Sequence, residues 1–505
     1  MLKNLLVKQH YFSHLFNLTS LFFLLLGVVF TSVFAPFNLY MLSPILMMPV
    51  FYTCLKSAPK QAAIYLFFFG FGHFISGVYW VYISIHTFGN APSWIALLLM
   101  FGLVILMSFY FYLAGYLISW LVDGRSFRMI LIGPSVWVLF EWIKGWAFSG
   151  FPWLSIGYSQ IDTFLSGWGP VLGVYGISWF VLLSSAIFLH FISKKQYFTA
   201  LSLMLLPYLF GALLLSYSWT EDFEQPITTS IIQGGVSQDL KWKDEQLPKT
   251  MDLYLQATLS TENDSFVIWP EVAIPAPLDQ LESYIDLLQK HLKKTNKKLA
   301  IGILEKDNGR PNSYNSMMFL DGTKKQFYRK RHLVPFGEYF PVPNFVRQWM
   351  KMHSLPNLDL LKGDDKQALI EFDKSIYMAT AICYEIAFGS EQLYAFPKAN
   401  ILLNISNDGW FGDSIAPHQH LQITRMRALE TGRYVIRSTN NGISAFINPQ
   451  GILREKSEQF RFEVLSSYVQ PRIGLTPYIM LGNWPIILII LCVISFAGYK
   501  RIRVF

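Results

Sequence analysis

Ser375-Ile-Tyr-Met-Ala-Thr-Ala-Ile-Cys383-Tyr-Glu385 decides how this chain is read. The apolar, partly β-branched run Ser375 to Ile382 predicts a buried strand, and Glu385 to Phe396 predicts a helix. Cys383 then falls at a strand-to-helix turn. Such a turn exposes the sulfur, and a helix N-terminus favours the thiolate. No other cysteine lies between residues 221 and 475; Cys54 and Cys492 fall in apolar runs and read as small packing residues. A lone thiol in an exported domain, where disulfides are expected, points to chemistry.

Two stretches upstream supply what such a thiol needs. Trp269-Pro270-Glu271 closes the short strand Phe266 to Trp269 with a carboxylate, and Tyr328-Arg329-Lys330-Arg331-His332 follows another strand with an amine. A carboxylate in an apolar pocket can take the thiol proton, which makes Glu271 the candidate base. A tetrahedral intermediate needs positive charge or donors at its oxygen. Lys330 suits that role, joined by a main-chain N–H near Tyr384. The order Glu271, Lys330, Cys383, each at a strand end, resembles the nitrilase superfamily.

Around these residues, from Pro226 to about Gln470, short β-rich segments alternate with amphipathic helices, the pattern of a layered α/β domain. One stretch breaks it. Val334 to Leu361 is punctuated by prolines yet carries Phe336, Phe340, Phe345, Trp349, Met350 and Met352, and reads as a lid or membrane-dipping arm.

The rest of the chain is of a different kind. Of 505 residues, 52% are hydrophobic and 15% charged, against about a quarter charged in ordinary soluble proteins. The deficit lies before Trp219, where long apolar runs recur. Eight candidate spans run from Leu15 to Phe37, Leu39 to Leu55, Ala62 to Ile85, Trp94 to Leu121, Met129 to Phe148, Val171 to Ile192, Tyr197 to Tyr217, and Tyr478 to Tyr499. Glu141 and Lys144, near the end of the fifth, read as interfacial rather than as a functional intramembrane pair. The first run lacks a cleavage site and is followed by more spans, so it reads as an anchor.

Every second loop is basic: Lys3 and Lys8, Lys56 and Lys60, Arg125 and Arg128, Lys194 and Lys195, then Lys500, Arg501 and Arg503. This alternation predicts cytoplasmic termini and an extracytoplasmic domain after the seventh span. It also accounts for the net charge of +8, so the basicity signals topology and does not suggest nucleic-acid binding. The expected organisation is a seven-span membrane domain over residues 1–220, a catalytic domain over 221–475, and a final span with a basic tail over 476–505.

Further blocks narrow the family. His332-Leu-Val-Pro-Phe-Gly-Glu-Tyr339, Thr380-Ala-Ile-Cys-Tyr-Glu385, Ile405-Ser-Asn-Asp-Gly-Trp-Phe-Gly412, Arg425-Met-Arg-Ala-Leu-Glu430 and Arg437-Ser-Thr-Asn-Asn-Gly442 resemble signature blocks of bacterial apolipoprotein N-acyltransferases. The resemblance implies a polytopic α-helical membrane bundle plus an extracytoplasmic nitrilase-like αββα sandwich. It implies a bacterial inner-membrane enzyme, periplasmic in its catalytic domain. The acyl donor would be a phospholipid, usually phosphatidylethanolamine giving its sn-1 chain. The acceptor would be the α-amine of a diacylglyceryl-cysteine apolipoprotein. No cofactor or metal is implied, and a monomer suffices.

By the same resemblance Glu338 orients Lys330 or supports the base; alternatively it is a structural partner of nearby donors. Tyr384 and Glu385 flank the nucleophile and would shape the pocket or bind the amine. Trp242 and Trp410 read either as core or as lining for an acyl or headgroup site, and Phe336 and Trp349 as further lining. His418 and His420 lie two apart on a predicted helix and do not face each other, so they make no metal pair. The competing readings are a membrane-anchored nitrilase-type amidase using the same trio, and a transporter with a receptor-like outer domain. Spans so poor in buried charge disfavour the transporter.

Overall fold

A computed structural model describes residues 17–263, 265–307, 312–352 and 359–503. The chain divides into two compact units, one formed by residues 1–82, 94–217 and 481–505, the other by 83–93 and 218–480.

The first unit is helical. Among the described residues, five helices are long and apolar enough to cross a membrane: Ser93–Val122, Ser126–Lys144, Phe164–Ile192, Tyr197–Leu215 and Trp484–Ile502. A sixth span results if Pro59–Gly77 and Trp80–Phe88, bent by 50° at their junction, count as one. The first two expected spans are shorter as helices, Leu18–Phe30 and Ser43–Lys56, because turns at Thr31–Val33 and Tyr40–Leu42 interrupt the apolar run. Residues 1–16, including the start of the first expected span, lie outside the described residues. Helix Leu18–Phe30 lies backbone to backbone on Pro59–Gly77, an approach only small residues permit. A Cβ on Gly27 would strike the Phe69 carbonyl, and one on Gly72 the Leu24 carbonyl.

Glu141 and Lys144, at the end of helix Ser126–Lys144, are buried within the first unit: each is only 3% exposed. Glu141 Oε1 accepts from Trp137 Nε1 at 3.1 Å and from the Ile156 N–H at 3.0 Å, and Lys144 Nζ donates to the Trp153 carbonyl at 2.5 Å. These inward partners, absent from any one-dimensional reading, hold Glu141 Oε1 and Lys144 Nζ inside. Cys492, expected to pack, is instead exposed, whereas Cys54 is buried.

The second unit is built on two six-stranded sheets. In chain order its strands are β1 (Ile227–Gln233), β2 (Phe266–Ile268), β3 (Lys298–Lys306), β4 (Ser313–Leu320), β5 (Lys325–Arg329), β6 (Ile370–Glu371), β7 (Tyr377–Ile382), β8 (Ile401–Ser406), β9 (Val435–Thr439), β10 (Ala445–Ile447), β11 (Leu453–Lys456) and β12 (Glu463–Val469). One sheet has the order β12-β1-β2-β3-β4-β5, the other β11-β10-β9-β8-β7-β6. The centre of each is parallel: β1, β2 and β3 in the first, β7, β8 and β9 in the second. A two-stranded ribbon, Glu221–Asp222 with Arg472–Ile473, closes the ends of the unit.

Period-two alternation divides each strand between two cores. Ile231, Phe266, Ile268, Met317 and Phe319 of the first sheet share one buried cluster with Met378, Ile382, Leu403, Ile405, Ile436 and Phe446 of the second. Their neighbours point away. Ile232, Val267, Ile301 and Met318 pack against helices Leu247–Ser260 and Glu282–Thr295. Ala379, Leu402, Val435 and Ala445 form the outer core of the second sheet with Leu421 and Ala428, from helix Ala416–Thr431. The layers are therefore α, β, β, α, an αββα sandwich.

Candidate functional site

Three strand ends carry the reactive groups: Glu271 three residues beyond β2, Lys330 directly after β5, and Cys383 directly after β7. The two sheets thus bring together groups far apart in sequence. Gly302 in β3 makes room for the first, since a Cβ there would lie 2.6 Å from the Glu271 Cα.

Glu271 is buried, and its Oε1 accepts from Asn315 Nδ2 at 2.7 Å and stands 3.4 Å from Lys330 Nζ. Lys330 is buried, and its Nζ donates to Glu338 Oε1 at 2.8 Å. Glu338 also accepts from Asn315 Nδ2 at 3.1 Å, and through Oε2 from the Val334 N–H at 2.8 Å. Burial disfavours the Lys330 ammonium, but Glu338, Glu271 and Cys383 outweigh it and hold its pKa above the ordinary lysine value. The lysine is a fixed cation.

Cys383 behaves differently from the expectation. Burial, with Glu271 second, pushes its thiol up to about 12, against the opposing pull of Lys330. The expected helix from Glu385 to Phe396 is broken into a 3₁₀ turn at Cys383–Ala387, a single turn at Gly389–Gln392 and another 3₁₀ turn at Leu393–Ala395. Turns this short carry little dipole, so burial prevails and the resting sulfur is a thiol. Its backbone is strained: Cys383 has φ +54°, left-handed for a residue with a Cβ.

Glu385 is fully buried and every acceptor position is used. Its Oε2 accepts from the Ile382 N–H at 2.7 Å and Tyr328 Oη at 3.0 Å, and its Oε1 from the N–H groups of Arg331 at 2.6 Å and His332 at 3.1 Å. It ties the cysteine turn to the segment that carries Lys330. A carboxylate so engaged cannot also bind a substrate amine, which corrects that expectation for Glu385. Tyr384 is partly exposed, and its ring meets His332 and Phe388 edge-on.

The aromatic candidates are peripheral. Trp242 is 50% exposed, Phe336 41% and Trp410 38%, so core packing is not their role. Phe336 sits at φ +62° in a turn closed by its N–H on the Tyr339 carbonyl at 2.7 Å. The Trp410 carbonyl accepts from Ser84 Oγ at 2.8 Å. Trp349 lies on helix Asn344–Met352, its side chain outside the described residues, as are residues 353–358 of the expected arm.

Sequence reasoning passed over Asn315 and Lys241. Asn315 bridges both carboxylates; it sits at a buried position in the polar first half of β4, where nothing local sets it apart from Ser313 and Ser316. Lys241 is buried and donates to the Glu271 carbonyl at 3.3 Å, and burial holds its pKa down to about 8 against the attraction of Glu271.

This arrangement suits acyl transfer through a covalent intermediate: a thiol, a carboxylate to take its proton, and a fixed cation beside both. Comparison with known proteins agrees. Residues 26–187 match the family model described as the apolipoprotein N-acyltransferase N-terminal domain. Residues 228–478 match the one described as carbon-nitrogen hydrolase. An apolipoprotein N-acyltransferase of Methylococcus capsulatus is 36% identical over 472 residues, 91% of this chain and 92% of the relative. Another, from Nitrosomonas europaea, is 38% identical over 470 residues, again 91% and 92%. A solved CN-hydrolase superfamily protein from Xanthomonas campestris aligns at 15% identity and TM-score 0.37, covering 52% of this chain and 97% of that one.

Proposed function

We propose, from the premise that this chain belongs to the apolipoprotein N-acyltransferase family, that Cys383 carries the acyl group between two lipid substrates as a thioester. The enzyme is a membrane acyltransferase acting on lipid and lipoprotein substrates. The donor in this proposal is a phospholipid such as phosphatidylethanolamine, cleaved at its sn-1 ester, and the acceptor is the α-amine of a diacylglyceryl-cysteine at a lipoprotein N-terminus. The proposed organisation is a membrane domain over 1–220, a catalytic domain over 221–475 and a C-terminal anchor over 476–505. It is a monomer in the bacterial inner membrane, with cytoplasmic termini and a periplasmic catalytic domain.

The contact that carries the residue roles is Lys330 Nζ held between Glu338 at 2.8 Å and Glu271 at 3.4 Å. In the first half-reaction Glu271 takes the Cys383 proton as sulfur attacks the ester carbonyl. The oxygen's developing charge is met by Lys330 and the Tyr384 N–H. The C–O bond breaks, the protonated Glu271 returns the proton to the departing lysophospholipid alkoxide, and the thioester remains. In the second half the amine attacks the thioester, Glu271 takes a proton from nitrogen, the C–S bond breaks as the amide forms, and Glu271 returns that proton to the departing sulfur, restoring the thiol. A resting thiol fits this order: sulfur is activated only when a carbonyl is present, which guards a long-lived site against stray electrophiles. Glu338 and Asn315 hold Lys330 and Glu271 in register, and Trp242, Trp410, Phe336 and Trp349 would line the approach for acyl chains.

Intact-protein mass spectrometry of the enzyme with phosphatidylethanolamine and no acceptor tests the scheme. The expected result is a fatty-acyl mass on Cys383, released by hydroxylamine and absent in Cys383→Ala. No adduct, with turnover of small amides instead, would favour a membrane-anchored amidase.

A further inference from the structure

A second buried cluster lies against the nucleophile, and no step above uses it. Arg437 on β9 donates from Nη2 to Asp408 Oδ2 at 2.7 Å, and Asp408 Oδ1 accepts from Ser406 Oγ at 2.9 Å. His420, on helix Ala416–Thr431, stands with Nδ1 3.0 Å from Asp408 Oδ1 and 3.0 Å from Arg437 Nη2. Its other nitrogen, Nε2, is 3.2 Å from the main-chain carbonyl of Cys383. Asp408, His420 and Arg437 are all buried.

The partners determine the hydrogen positions. A carbonyl oxygen only accepts, so His420 Nε2 carries the hydrogen and donates to Cys383. On the other side Nδ1 stands between the Asp408 carboxylate and the Arg437 guanidinium: it accepts from Arg437 in the neutral ring or donates to Asp408 in the charged one, and Nε2 keeps its hydrogen in both. The Asp408–Arg437 pair therefore holds one ring orientation, and the ring holds one carbonyl.

That carbonyl matters because of what shares its peptide plane. In a trans peptide the C=O of one residue and the N–H of the next point in opposite directions. Anchoring the Cys383 carbonyl therefore fixes the direction of the Tyr384 N–H. The anchor is needed where Cys383 adopts φ +54°, a conformation that a residue with a Cβ does not hold unaided. We propose that His420 is a positioning residue that sets the oxyanion hole, by holding the Cys383–Tyr384 peptide so that the Tyr384 N–H faces the developing oxyanion. This rests on the reading of Cys383 as nucleophile and of the Tyr384 N–H as a donor.

Two substitutions in the full-length enzyme separate this role from general support of the fold. Glutamine carries an N–H near the ε position of histidine and reaches the Cys383 carbonyl; asparagine carries it near the δ position and does not. Each variant is assayed for turnover with phosphatidylethanolamine vesicles and a diacylglyceryl-cysteine peptide, and for the rate at which iodoacetamide alkylates Cys383. Alkylation displaces iodide without forming an oxyanion, so it has no use for the hole. His420→Asn is expected to lose turnover about 10²-fold, the usual size for one oxyanion donor. Its KM and alkylation rate should stay within about twofold of the native enzyme, as a purely positional loss in the transition state requires. His420→Gln should retain most of the turnover. Native turnover in His420→Asn would overturn the proposal. So would alkylation falling in step with turnover, because the thiol itself would then have moved. If alkylated native enzyme keeps its activity, the Cys383 nucleophile reading fails first, and that result is distinguishable from the other two.

Discussion

Glu271 acts on Cys383 in two opposed ways, and a single substitution separates them. As the proposed base it would accelerate turnover; as a nearby negative charge it helps raise the thiol, behind burial and against Lys330. Removing the charge in Glu271→Gln lowers the thiol pKa, so more thiolate is present at a given pH. The expected outcome is slower acyl transfer, by about 10²–10⁴-fold as for loss of a general base, with faster alkylation of Cys383 by iodoacetamide measured at pH 7 to 9. Alkylation that slows in Glu271→Gln would contradict this electrostatic arrangement. The site's polar residues show the same division between what was legible and what was not. Glu271, Lys330 and Cys383 announced themselves by type and by strand-end position. Asn315, Lys241 and His420 did not, because their partners lie on other strands and each alone resembles an ordinary polar residue in an apolar context.

Among the elements, the strands were the most legible and the connections the least. Strands β3, β4, β7, β8 and β9 carry short apolar runs that are readable in one dimension, since each buries both faces. The edge strands β11 and β12 escaped notice because their outward residues are polar and exposed. The stretch after Cys383 was expected as one helix, but Phe388 and Gly389 divide it, and Glu385 turns inward to four donors rather than outward along a helix. Helix Asn344–Met352 is the element of the expected arm with the clearest consequence. Phe345 and Met352 are 73% and 75% exposed, an unusual cost for large apolar side chains in water. If the helix touches lipid, Phe345→Ser with Met352→Ser should reduce turnover of vesicle-borne phosphatidylethanolamine several-fold while leaving the thermal unfolding temperature within about 2 °C, since little buried area is lost. Unchanged lipid turnover would remove the arm from the mechanism.

For the whole molecule, charge placement carries the argument that contacts cannot. Basic residues recur in alternate loops and at the C-terminus, so the proposed topology has both termini in the cytoplasm. A cysteine introduced at Ser57 should resist a membrane-impermeant maleimide in intact spheroplasts, whereas one at Asn90 should be labelled. The reverse pattern would invert the topology and place the catalytic unit on the cytoplasmic side. Both positions are tested in a Cys54→Ser, Cys383→Ser, Cys492→Ser background, so that labelling reports the new thiol. Residues 83–93, which hydropathy assigns to a membrane span and its loop, group with the catalytic unit, and Ser84 bonds the Trp410 carbonyl there.

By itself the sequence determined the class of protein, most strands of the second unit, and the candidates proposed here as base, cation and nucleophile. Those properties depend on residue type and local spacing, which one dimension records. Only the tertiary structure decided that the Cys383 sulfur rests as a thiol, that Glu385 is a tie rather than a substrate ligand, and that Glu141 and Lys144 face inward. It also decided that His420 faces the nucleophile's carbonyl. Burial and hydrogen-bond direction depend on which distant segments meet, and no local pattern contains that information.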